Sequence, residues 1–189
     1  MTQLLFNSFK KRGIEVSHII PSENGFANST IGQMDLVGLN NPKIPDVALI
    51  RGVGSKIPSK IFYRLDWMAM LEEMGVRLVN NRRCLEIATN KMLTTQALVK
   101  HNISTPSTYM CENYDLAFQS FQDLGGDVVL KPLYGARGKG IIRLTNEYEA
   151  QYIFRKMEEN DEIYYLQKYM EHNLEDIRIL VVGGQAICG

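Results

Sequence analysis

Lys131 closes a short apolar run, Val128-Val129-Leu130, and Gly135, Gly138 and Gly140 follow closely, with Arg137 and Lys139 between them. The apolar run reads as a buried strand. A lysine at the inner end of such a strand is costly unless an anion meets it. Glycine lets the backbone take positive φ and come close to a ligand. Successive backbone N–H groups in such a loop form a nest for anions. A second apolar strand, Ile141 to Leu144, leaves the loop. These residue types suit one chemistry, the gripping of a polyphosphate beneath a hairpin flap.

Two common phosphate motifs do not fit. The pattern G-x-x-x-x-G-K-[ST] fails because Ile141 follows Gly140. The dinucleotide pattern G-x-G-x-x-G fails because the glycine order here is G-x-x-G-x-G and no helix follows. The same residues also fit a plain β-hairpin with a basic loop, and the loop alone does not separate the two readings.

The elements around the loop must position it. Thr2 can cap a helix running to Arg12, with Leu5, Phe6 and Phe9 on one face and Gly13 as its stop. Ile14 to Ile20 reads as a strand, so the chain opens as an α/β unit whose first strand is expected to lie outside these residues. Residues 21 to 45 are polar, with one weak strand signal near Met34 to Leu39. Asp46 to Ile50 reads as a buried strand. Arg51 lies just beyond its carboxyl end, where open α/β sheets bind ligands; a solvated loop arginine is the alternative. A helix over Ile57 to Met74 and a strand over Val76 to Val79 complete a small parallel unit.

Cys84 to Thr89 reads as a short helix or connector, and a helix follows from Asn90 to His101. Lys91 in its first turn opposes the helix dipole, which is unfavourable without a nearby anion; an exposed surface lysine fits equally well. From 105 to 167 the order is β-α-β-β-α-β, with helices capped at Asn113 and Asn146. Gln167-Lys168-Tyr169-Met170 follows the last strand. A strand over Asp176 to Val182 places Asp176 and Arg178 on one face, and Gly183-Gly184 marks a hairpin. The return strand from Gln185 stops almost at once, so a C-terminal continuation is expected.

Composition narrows the partners. The 189 residues suit one or two small domains, with 45% hydrophobic and 22% charged residues. Lys plus Arg and Asp plus Glu both number 21, so bulk charge offers no footprint for nucleic acid or an anionic membrane. No apolar run reaches membrane-spanning length, and no signal-peptide pattern opens the chain. Cys84, Cys111 and Cys188 lack paired spacing and read as free thiols of a reducing cytoplasm.

The series Asn90-Lys91, Val-Val-Leu-Lys131-Pro, Gly135-Ala-Arg-Gly138-Lys-Gly140, Gln167-Lys-Tyr-Met and Asp176-Ile-Arg178 resembles the ATP-grasp superfamily. Within it the likeness is to RimK-type ligases, which add glutamate or similar amino acids to a carboxylate. The resemblance implies an α/β plus α+β fold: a Rossmann-like pre-ATP-grasp domain over 1–88, a lid subdomain over 89–167, and the start of the C-terminal subdomain over 168–189. It implies that Lys91 and Lys131 contact the α- and β-phosphates of ATP. Gly135, Ala136, Arg137, Gly138, Lys139 and Gly140 would close over them. Gln167, Lys168 and the backbone of Tyr169 and Met170 would meet the adenine, and Asp176 the ribose. Arg178 would face the acyl-phosphate region as the catalytic residue, with Arg51 as a substrate-binding candidate.

The cofactors implied are ATP with Mg2+ or Mn2+. The implied partners are a small-molecule or protein carboxylate and an amino acid, with glutamate favoured; no nucleic acid or membrane is implied, and a homo-oligomer is compatible. The chain departs from the family in having Asn90 where Asp is usual. It also lacks the Glu-x-Asn metal-ligand segment and the acceptor-recognition region. These 189 residues are therefore expected to bind nucleotide weakly at best and not to complete ligation. Two other readings stand beside the ligase: a non-catalytic nucleotide-binding module, and a phosphotransferase acting on a small alcohol. A pterin- or flavin-type cofactor tail, a ribosomal protein and an amino-acid carrier protein all remain as acceptors, with a methanogen-type cofactor glutamyl ligase favoured on general likeness.

Overall fold

The computed structural model describes residues 2–30, 33–38, 43–55, 57–135, 138–173 and 175–188. The chain divides into two compact units. The first comprises Met1–Ile103 with Leu133–Lys139, and the second Ser104–Pro132 with Gly140–Gly189.

In the first unit, helix α1 (Thr2–Lys11) has Lys10 and Lys11 in its last turn, where they complement the dipole. Strands β1 (Asn24–Thr30) and β2 (Gln33–Gly38) pair antiparallel. Strand β3 (Val47–Leu49) pairs parallel with β4 (Arg77–Val79), and helix α2 (Pro58–Glu73) makes the crossover. Pro58 stands at the first helical position, where its missing N–H costs nothing. Gly75, at φ +86°, ends the helix while Val76 N–H bonds back to the Leu71 carbonyl. Ile61, Leu65, Trp67, Met68 and Leu71 form the buried stripe of α2. Helices α3 (Arg82–Thr89) and α4 (Lys91–Lys100) complete the unit's regular elements among the described residues.

Three expectations are corrected here. Ile14 to Ile20 is not a strand. A strand needs a ladder partner, and among the described residues β3 pairs with β4 alone. A cavity of about 670 Å³, lined by Phe6, Ile14, Ile19, Val47, Leu49 and Trp67 among others, borders both this segment and β3. Strand β3 itself is not buried as expected: Val47 and Leu49 are 53% and 42% exposed on a two-stranded sheet. The polar stretch before it contains a hairpin rather than one weak strand. Strand β1 lacks apolar alternation; it is anchored by Phe26, whose ring meets Trp67 edge-on at 4.7 Å. Leu39, the end of the expected second strand, lies outside the described residues.

The second unit follows the expected β-α-β-β-α-β order. It runs β5 (Thr108–Cys111), α5 (Tyr114–Asp123), β6 (Val128–Leu130), β7 (Ile142–Leu144), α6 (Glu147–Glu159) and β8 (Tyr164–Lys168). The strands form one antiparallel sheet in the order β5-β8-β6-β7. Helices α5 and α6 bury Ala117, Phe121, Ala150 and Phe154 against Val128, Leu144, Tyr164 and Leu166. The Asn113 side chain accepts the Leu116 N–H, and the Asn146 side chain accepts the Glu149 N–H. The rings of Phe121, Phe154 and Tyr164 meet edge-to-face in sequence, a geometry that adds to simple area burial. The Tyr164 hydroxyl donates to the Phe154 carbonyl at 2.8 Å, so this buried phenol is paired.

Strands β9 (Leu180–Val182) and β10 (Gln185–Cys188) form a hairpin through Gly183-Gly184, as expected. Residues 176–179 do not belong to it, which corrects the longer strand expected there. Strand β10 reaches only Leu180 through Val182, so the preceding residues find no ladder partner among the described residues. Strand β8 extends through Lys168 rather than stopping at Leu166, because Val128 and Val129 of β6 pair with Lys168 and Gln167. Among the described residues no helix is long and apolar enough to cross a membrane.

Candidate functional site

Lys131 is the first residue after β6. Its backbone N–H bonds the Tyr165 carbonyl at 3.0 Å, which continues the sheet and holds the Cα in register. Its side chain is half-buried, and burial pulls the ammonium's pKa below the ordinary lysine value. The ammonium donates to Oε1 of Gln167 at 2.5 Å. No carboxylate forms an ion pair with it among the described residues. A half-buried cation held by a neutral amide has charge left to offer an anion.

Gln167 lies on β8 between two strands, opposite Thr108 of β5 and Val129 of β6. It is 9% exposed, and its amide nitrogen donates to the Thr108 hydroxyl at 3.0 Å. Beyond β8, Tyr169 N–H bonds the Asp127 carbonyl at 3.0 Å. The Asp127 carboxylate takes two bonds from Arg143 of β7, at 2.8 and 2.7 Å. The Arg143 guanidinium lies 3.4 Å from the Tyr169 ring centroid. Arg143 thereby holds the Asp127 carboxyl below its usual range. Lys168 and Met170 are exposed.

In the first unit Asn90 caps α4. Its Oδ1 accepts the N–H groups of Met92 and Leu93 at 2.9 and 3.3 Å. Its amide nitrogen donates to the Tyr134 hydroxyl at 3.2 Å, and Lys91 N–H bonds the Leu133 carbonyl at 3.2 Å. The Tyr134 ring meets Phe62 edge-on at 5.4 Å and packs against Val53, Ile61, Leu65 and Met68. The segment leading into the glycine loop is thus fixed to the N-terminus of α4. Lys91 is partly buried in the first turn of that helix.

In the loop, Gly135, Gly138 and Gly140 have φ of +156°, +68° and +78°. At Gly140 the positive φ favours glycine, while an added Cβ would sit at ordinary contact distance, 3.4 Å, from the Pro132 ring. Gly138, Lys139 and Gly140 are exposed, whereas Ala136 and Arg137 lie outside the described residues. Asp176 and Arg178 are exposed and stand outside any strand, and Arg51 is exposed in the coil after β3.

The structure therefore brings Lys131 and Gln167 together and sets Tyr169 beside the Asp127–Arg143 pair. Lys91 stands in the other unit. Thr108, Tyr134, Asp127 and Arg143 were not picked out from the sequence. Only Tyr134 carried a local signal, an aromatic directly before the glycine loop. Burial raises the Cys111 thiol's pKa, which keeps it protonated and disfavours thiolate chemistry. Within the second unit, the half-buried Lys131 ammonium suits an anion. No group of three or more His, Cys, Asp or Glu side chains among the described residues could hold a metal ion.

Comparison with known proteins adds the lineage. The family described as the prokaryotic glutathione synthetase ATP-grasp domain matches residues 90–188. The chain is 29% identical over 153 residues to the tetrahydromethanopterin:α-L-glutamate ligase of Methanosarcina acetivorans, covering 75% of this chain and 47% of that protein. It is 30% identical over 125 residues to the α-aminoadipate–LysW ligase LysX of Saccharolobus solfataricus, covering 64% of this chain and 45% of that protein. The chain thus spans about half the length of these curated relatives. Its fold matches the crystal structure of a RimK domain ATP-grasp protein from Sphaerobacter thermophilus with a TM-score of 0.69 at 20% identity, covering 90% of this chain and 60% of that one. The chain belongs to the prokaryotic glutathione synthetase ATP-grasp family and has the mixed α/β fold of a RimK-like ATP-grasp protein.

Proposed function

We propose that this protein is an ATP-dependent carboxylate–amine ligase that joins an amino acid such as L-glutamate to a carboxylate through an acyl phosphate. The observation that carries this reading is Lys131, a half-buried ammonium at a strand end, bonded to an amide and without a carboxylate partner among the described residues. Family membership and the amino-acid ligases among the relatives support it. In this reading the first unit contains a Rossmann-like pre-ATP-grasp domain over 1–88, residues 89–167 form the lid, and 168–189 open the C-terminal subdomain.

The reaction needs charge neutralisation and positioning more than covalent help. A carboxylate oxygen attacks the γ-phosphorus and ADP leaves. The amine then attacks the acyl carbon, and phosphate leaves as the nitrogen gives up a proton. Lys131 and Lys91 neutralise phosphate oxygens as point charges. The loop from Gly135 to Gly140, with Ala136, Arg137 and Lys139, covers the phosphates and excludes water. Lys168 and the backbone of Tyr169 and Met170 meet the adenine, and Asp176 the ribose. Arg178 stabilises the negative charge of the acyl phosphate, and Arg51 binds a substrate carboxylate. Mg2+ or Mn2+ would supply further neutralisation of the phosphates when bound.

The test is an assay of the complete gene product with ATP, Mg2+, L-glutamate and a panel of carboxylic acids, followed for nucleotide and for amide. ADP, phosphate and amide in equal amounts are expected. Release of AMP and pyrophosphate, or transfer of phosphate to an alcohol, would overturn the reading.

A further inference from the structure

We infer that Thr108 is a positioning residue for Lys131, acting through Gln167. The inference rests on the reading of Lys131 as a phosphate-binding group. The three side chains form a chain of hydrogen bonds across β5, β8 and the end of β6. The Thr108 hydroxyl donates to the Pro106 carbonyl at 2.8 Å. The Gln167 amide nitrogen donates to the same hydroxyl at 3.0 Å, and Gln167 Oε1 accepts from the Lys131 ammonium at 2.5 Å.

The direction of this chain follows from the inventory of protons. A hydroxyl has one proton and two lone pairs. With its proton committed to Pro106, Thr108 can only accept from Gln167. The amide must then turn its nitrogen toward Thr108 and its oxygen toward Lys131. The opposite orientation would set an NH2 group against an ammonium, donor against donor. It would also face the amide oxygen with lone pairs alone. Gln167 is 9% exposed, so water cannot repair either mismatch cheaply. Thr108 thereby selects the amide orientation that gives Lys131 an acceptor.

One consequence concerns Lys131. An ammonium has three donors. Gln167 takes one and fixes the direction of the stem, leaving two donors for an anion. A second consequence concerns Gln167. Both ends of its side chain are engaged within the sheet, so its work is to aim the lysine rather than to read adenine as the resemblance implied. Gln167 and Thr108 face each other in register on neighbouring strands, which makes the link part of the sheet rather than of a mobile loop.

The test compares Thr108→Val, which keeps the shape and removes the hydroxyl, with Thr108→Ser, which keeps the hydroxyl. Binding of ATP and of adenosine is measured by calorimetry. Thr108→Val is expected to weaken ATP by roughly tenfold, the effect of about one well-formed hydrogen bond, and to leave adenosine within twofold. Thr108→Ser is expected to restore ATP binding. Equal weakening of ATP and adenosine, or no rescue by serine, would overturn the inference. Lys131→Met separates the two levels of the argument. If that variant weakens ATP and Thr108→Val does not, the relay fails and the site stands. If neither weakens ATP, the reading of Lys131 fails as well. Should the valine variant not fold, hydrogen exchange of the Gln167 side-chain amide in the parent and in Thr108→Ser decides. Slow exchange in both supports the relay, and fast exchange in the parent refutes it.

Discussion

Replacing Lys131 with methionine removes the charge and keeps most of the stem. The strand should survive, because the bond from Lys131 N–H to the Tyr165 carbonyl belongs to the backbone. Gln167 keeps Thr108 as a partner for its amide nitrogen. What disappears is the proposed charge-assisted contact to phosphate, worth about 1.5–3 kcal/mol. At 1.4 kcal/mol per decade that is roughly a 10- to 150-fold rise in the Kd for ATP. Calorimetric titration of parent and variant with ATP reads this directly, and inorganic tripolyphosphate should show the same ratio because the lost contact is to phosphate. The variant should also alter the alkaline stability profile. Burial lowers the folded-state pKa of Lys131, so between that lowered value and 10.5 the unfolded chain binds more protons than the folded one. Stability contributed by this group therefore rises with pH across that window, and the methionine variant lacks the rise. A folded variant whose Kd for ATP stays within twofold of the parent would refute the reasoning.

Tyr164→Phe should lose about 1 kcal/mol, the usual net worth of one hydrogen bond, read as a lower urea midpoint. Its phenol has a pKa raised by burial, so the parent loses stability as pH climbs above 10.0 and the phenylalanine variant does not. Asn90→Ala should cost about 1 kcal/mol through the lost cap, and faster amide exchange at Met92 and Leu93 would report it. Asp127→Asn should flatten the acid limb of a stability–pH curve. The Arg143 bond depresses the Asp127 pKa, so its contribution is present above the ordinary 3.8 and is lost as pH falls through the lowered value.

Local chemistry made much of this fold legible. Asn113 and Asn146 announced helix starts because a cap is satisfied within three residues. The Val128–Leu130 run, the glycine loop and the Gly183-Gly184 turn were read for the same reason. What was missed depends on partners distant in sequence. Tyr134 meets Asn90 across 44 residues, and Gln167 meets Thr108 across 59. Such pairings are set by strand register and helix docking, which no window of neighbouring residues contains. Ile14 to Ile20 shows the converse. Its apolar composition suits a strand, but a strand also needs a ladder partner beside it, and among the described residues β3 pairs with β4 alone. The site followed the same division: lysines and glycines stood out by type and Gln167 by resemblance, whereas the Thr108 hydroxyl that bonds Gln167 did not.

The chain has one tryptophan, and that indole lies within the first unit against the apolar cavity, its Nε1 without a hydrogen-bond partner among the described residues. Indole emission therefore follows that unit alone during denaturation, while exchange at the amides of β6 and β8 follows the other. A difference between the two midpoints would measure directly how far the units melt independently, and a blue shift of the emission with an added apolar solute would show the cavity being filled.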